Sequence, residues 1–137
     1  MNIKDLIKMA HANAVAKGFY EREQNVGERL MLVVSELSEA LEADRNNRRA
    51  SIGAFDIEVR PTMLKVDERG EIVQRIESPI FKEAFTEHIK DTFEDELADA
   101  VIRIADMCGA MGIDLERHIE LKMAYNETRP HKHGKAY

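Results

Sequence analysis

Apolar residues return every three or four positions along most of this chain, and that period predicts helices. Ile3, Leu6, Ile7, Ala10 and Ala14 mark a first helix over about 3–17, which Gly18 stops ahead of the aromatic pair Phe19-Tyr20. Leu30, Val33, Val34, Leu37, Ala40 and Leu41 mark a second over about 26–46. Phe93, Leu97, Ala100, Val101, Ile104 and Cys108 mark a third from about Thr86 to Met111, ended by Gly112. Asp114 is placed to cap a fourth, about Leu115 to Thr128, which stops before Pro130.

The period changes between the second and third helices. Phe55, Ile57 and Val59 alternate with polar neighbours, the repeat of a strand. Pro61 interrupts, and Met63–Val66 and Glu71–Ile76 then flank the turn-like string Asp67-Glu68-Arg69-Gly70. Residues of about 46–86 therefore read as a β-hairpin-like insertion, with helix resuming after Pro79. The expected architecture is mainly α: one domain over 1–137, of four-helix-bundle type, carrying that insertion between helices two and three.

Composition changes this picture in three ways. With 44% apolar residues in 137, the chain is long enough to bury a core, and only 6% aromatics without Trp suit packed helices. A net charge of −6 argues against binding to a nucleic-acid polymer, which relies on basic surface. Cys108 is the sole cysteine, so no internal disulfide forms and a reducing compartment is expected. The opening MNIKDLIKMAHANA has no signal-peptide apolar region, and no apolar run approaches the roughly 20 residues of a membrane span. The expectation is a cytoplasmic protein away from membranes, with Cys108 a core thiol on the stripe of helix three.

The candidate chemistry lies in two acidic pairs. Glu36 and Glu39 are three apart on helix two, and Glu96 and Asp99 are three apart on helix three. That spacing puts each pair on one helix face, close enough to share a ligand. One such pair in a chain with 26 acids usually marks a solvated surface. Here both pairs border apolar positions, Glu36 and Glu39 beside Leu32, Ala40 and Ala43, and Glu96 and Asp99 with Arg103 one turn on. Clustered carboxylates repel one another until a cation neutralises them, and oxygen-only donors select magnesium, with manganese as a substitute. A ferritin-type di-iron site needs Glu-x-x-His, and no His here has Glu three positions before it.

Positive charge gathers at the other end. Lys122 and Asn126 are one turn apart on helix four, and the segment RPHKHGKAY that follows contains Arg129, Lys132 and Lys135 but no acid. Such donors suit phosphate oxygens. His131 and His133 alternate in the same tail, which is poor evidence for metal binding.

Together, SELSEALEADR (35–45) and EDELADAVIRIADMCGAMGIDLERHIELKMAYNETRPHKHGKAY (94–137) resemble the MazG-like members of the all-α NTP pyrophosphohydrolase superfamily, through E-x-x-E, E-x-x-D and K-x-x-x-N. HANAVAKGFY (11–20) resembles that family's first helix and the aromatic position after it. The resemblance covers the chain outside the insertion, which lengthens the connection usual in the family. It implies a magnesium-dependent cleavage of a nucleoside triphosphate to monophosphate and pyrophosphate by a homodimer or homotetramer. Glu36, Glu39, Glu96 and Asp99 map to the metal ligands, and a carboxylate not fully occupied by metal, with Glu39 the candidate, would take the proton of the attacking water. Lys122 and Asn126 map to the phosphate side, joined by Arg129 or Lys132, and Lys122 steadies the leaving pyrophosphate. His11 and Phe19 or Tyr20 map to the nucleobase side. The competing readings are a nucleotide-binding regulator without useful turnover and a helical-bundle interaction module.

Overall fold

Asn2 opens the chain's first helix by accepting a hydrogen bond from the Asp5 backbone N–H at 2.8 Å, and similar caps recur along the fold. The computed structural model describes residues 1–63 and 79–130, and every regular element among them is a helix. These are α1 (Ile3–Ala16), α2 (Val26–Arg45), α3 (Ile52–Met63), α4 (Pro79–His88), α5 (Phe93–Met111) and α6 (Leu115–Glu127). Gly18 and Gly112 adopt left-handed φ of +82° and +65° just past α1 and α5. Asn25 and Glu28 cap α2 reciprocally, each side chain accepting from the other's backbone N–H at 2.9 Å. Asp114 accepts from the Arg117 N–H at 3.1 Å to start α6. No helix is long and apolar enough to cross a membrane among the described residues.

The insertion corrects the strand expectation. Phe55, Ile57 and Val59 lie in α3, not in a strand. Phe55 and Val59 are one helical turn apart and turn inward, Val59 being fully buried, while Ile57 is 74% exposed. A run that alternates for only three apolar positions fits both periods, and packing chose the helical one. The expected arms Met63–Val66 and Glu71–Ile76 lie, but for Met63, outside the described residues. The third long helix is also shorter than expected. It begins at Phe93, and Thr86 belongs to the separate α4. Between them Asp91 takes a left-handed φ of +58°. Thr92 Oγ1 accepts from the Asp95 N–H at 3.4 Å, and Asp95 accepts from the Asp91 N–H at 3.0 Å.

The chain divides into two compact units, Met1–Met31 with Val101–Tyr137, and Leu32–Ala100, so α2 and α5 contribute residues to both. In the first unit α1 packs against α6. A Cβ on Gly109 would stand 2.7 Å from the His11 Cβ and 3.3 Å from the Ile7 carbonyl oxygen, so glycine permits a close approach of α1 and α5. Gly109→Ala is therefore expected to destabilise the protein by about 1–2 kcal/mol in chemical denaturation, overpacking outweighing the helix-propensity gain.

In the second unit α3 packs against α4 around three phenylalanines. Phe55 meets Phe81 and Phe85 edge-on with centroids 5.4 and 6.4 Å apart, and Phe81 stacks on Phe85 at 6.1 Å. Ala84, with no exposed surface, lets the helices close. The Ser51 N–H donates to the His88 carbonyl at 2.9 Å and the Phe93 N–H to the Arg48 carbonyl at 3.1 Å, tying the connections down. Arg49 stacks on Phe93 at 4.3 Å and pairs with Asp44, so this basic end of α2 is engaged within the fold.

Candidate metal centre

On α2 the buried positions are Val33, Glu36, Ala40 and Ala43. Small residues at 40 and 43 let a neighbouring surface come close, and Glu36 shares their face. The stripe of Leu30, Val34, Leu37 and Leu41, which the sequence pattern marks as the apolar centre, is 47–49% exposed. Glu36 is 6% exposed and Glu96, on the first turn of α5, is 5% exposed. A carboxylate this buried is costly unless something compensates for it.

Glu36, Glu39 and Glu96 each offer a carboxylate oxygen, and these oxygens all lie within 4.8 Å of one another. Glu39 is the exposed member, accepting a hydrogen bond from Ser35 Oγ at 3.3 Å. Burial, the charge of Glu39 and a hydrogen bond with Glu36 push the Glu96 carboxyl up to about 7. Burial also raises the neighbouring Asp95. Protein atoms alone thus hold this cluster by keeping a proton in it near neutral pH. A divalent cation could do the same work with more charge, and three convergent hard oxygens are donors that could hold magnesium. Asp99, one turn beyond Glu96, is exposed and lies outside the trio.

The other predicted residues belong to the first unit. Lys122 and Asn126 are exposed on α6, with Lys122 Nζ 5.2 Å from the Tyr125 ring centre, and Arg129 is half-buried. Lys132 lies outside the described residues, as do His131, His133 and Lys135.

His11 and Tyr20 converge on a residue that sequence reasoning passed over. His11 Nδ1 is 2.9 Å from Asp106 Oδ1, and the Tyr20 hydroxyl donates to the same oxygen at 2.6 Å. Arg29 donates to the Tyr20 hydroxyl at 2.7 Å, lies over its ring at 4.6 Å and approaches Asp106 Oδ2 at 3.8 Å. The two rings meet edge-on at 4.9 Å. Burial and the Asp106 hydrogen bond raise the Tyr20 hydroxyl above its usual range. The available signal was an acid, Asp106, within the apolar pattern of helix three. Phe19 is 58% exposed, and a cleft of about 420 Å³ opens beside Tyr20 and Arg29. Cys108 is 4% exposed and its thiol is pushed up by burial, as a core thiol should be.

No family model matches this chain, and neither does any curated protein or solved structure at a significant level.

Proposed function

We propose that this chain is a MazG-like, magnesium-dependent pyrophosphohydrolase that cleaves nucleoside triphosphates between the α and β phosphates. The observation that carries the reading is the trio Glu36, Glu39 and Glu96, with ligand oxygens within 4.8 Å of one another and two members buried. These three, with Asp99 from the E-x-x-D motif, would hold magnesium or manganese. An ion held there would supply positive charge against the phosphates and would acidify a water. Glu39, which is exposed to solvent, would accept the proton of an attacking water. Lys122, Asn126, Arg129 and Lys132 would serve the phosphates, with Lys122 steadying charge on the leaving pyrophosphate. Their part rests on the K-x-x-x-N spacing and the basic segment alone. His11 and Tyr20 would border the base. No covalent nucleophile is required.

The half-exposed stripe Leu30, Val34, Leu37 and Leu41 supports self-association as a homodimer or homotetramer, because aliphatic surface of this kind is costly to leave in water. A lone free cysteine agrees with the reducing cytoplasm.

The test is pyrophosphate release across a panel of ribo- and deoxyribonucleoside triphosphates, with and without magnesium. Release from at least one member, dependent on magnesium, is expected. Silence across the whole panel overturns the hydrolase reading, and magnesium binding without release would leave a nucleotide-binding regulator.

A further inference from the structure

A second group of metal-ligating side chains converges within the insertion. Glu58 on α3 and Glu87 and His88 on α4 each offer one ligand atom, and these atoms all lie within 4.8 Å of one another. Unlike the acidic trio, this group mixes an imidazole nitrogen with carboxylate oxygens, the donor set that suits zinc-class ions over magnesium. His88 Nε2 is 2.9 Å from Glu58 Oε2, and the His88 side chain is 19% exposed against 40% for Glu58.

The backbone that carries these groups is well held. Glu58 precedes the fully buried Val59, and the Phe55, Phe81 and Phe85 cluster locks α3 to α4. The His88 carbonyl is fixed by the Ser51 N–H. His88 and Glu87 stand in the last turn of α4, where the carbonyl end of the helix favours a cation. Tetrahedral ligation at about 2.1 Å brings donor atoms to roughly 3.4 Å apart. The two exposed glutamates can close that difference by rotamer adjustment, with the neutral ring binding through Nε2 and carrying its single proton on Nδ1.

We propose that Glu58, Glu87 and His88 form a separate site for a zinc-class divalent cation, with water completing the coordination, which clamps the end of α4 to α3. It shares no residue with the proposed magnesium centre and stands whether or not the chain is a hydrolase.

Cobalt(II) is the probe, because its visible absorption reports tetrahedral nitrogen–oxygen ligation. The full chain carrying Glu36→Gln and Glu96→Gln is expected to retain one tight equivalent of cobalt(II), displaced by zinc. Adding His88→Ala or Glu58→Gln should weaken that binding at least tenfold, while His131→Ala with His133→Ala leaves it unchanged. Should the double glutamine variant fail to fold, the unsubstituted chain serves, with His88→Ala removing the imidazole-ligated equivalent. Cobalt binding that ignores His88→Ala, or no imidazole-ligated cobalt at all, overturns the site. Circular dichroism checks that each variant remains helical.

Discussion

Glu96→Gln is expected to make the metal-free protein more stable at pH 8 while lowering the proposed magnesium-dependent turnover at least about a hundredfold, a loss of about 3 kcal/mol in charge stabilisation. The cause of both effects is the same buried carboxyl. Its ordinary value is 4.5, and in the fold it sits at about 7 because burial, Glu39 and Glu36 all oppose its charge. Between those values the native state binds a proton that the unfolded chain has lost, so stability falls as pH rises through this window. Above pH 7 the full cost of holding the anion remains, at most about 3 kcal/mol. Glutamine keeps the shape and removes that cost. Thermal unfolding at pH 5.5 and 8 reads the effect, and the variant's advantage should be larger at the higher pH. Magnesium should stabilise the unsubstituted protein more at pH 8 than at pH 5.5, since a proton competes for the same oxygen, and should leave Glu96→Gln unmoved. An unsubstituted protein whose unfolding ignores both pH in this window and magnesium would remove the basis of the metal centre.

The second large effect is structural. Asp106→Ala is expected to cost about 3 kcal/mol, because it strips a shared acceptor from His11 and Tyr20 and leaves the Arg29 charge, 14% exposed, without its acid. Tyr20→Phe removes one hydroxyl from the same network and should cost only about 1 kcal/mol. Chemical denaturation of the two variants and their combination measures the coupling. A cost below about 1 kcal/mol for Asp106→Ala would mean that the first unit is not held through this network. The result also bears on the nucleobase expectation, since His11 Nδ1 and the Tyr20 hydroxyl are already engaged with Asp106.

Much of the helical outline was legible because caps and period agree. Asp114, ahead of Arg117, places a helix start that packing then respected. The break before Phe93 carried its own signal, Thr92 followed three residues later by Asp95, but the unbroken apolar spacing across it pointed to one long helix. Phe55 to Val59 misled for the opposite reason, since five residues are too few to separate a period of two from one of 3.6.

The acidic trio divides along the same line. Spacing alone set Glu36 beside Glu39 and Glu96 beside Asp99, because side chains three apart share a helix face whatever surrounds the helix. Which face is buried is not a property of one helix. The larger side chains of α2, Leu30, Val34, Leu37 and Leu41, promised the core, yet the face carrying Ala40 and Ala43 is the one covered, since small residues let a neighbour come close. Burial of that face is what isolates Glu36, brings it to Glu96 and lifts Glu96 to about 7. The sequence by itself therefore determined α1, α2 and α6, and the pairing of acids along α2 and α5. Only the tertiary structure decided that three of those acids meet, two of them out of water, because desolvation and charge repulsion depend on what lies across from a residue in space.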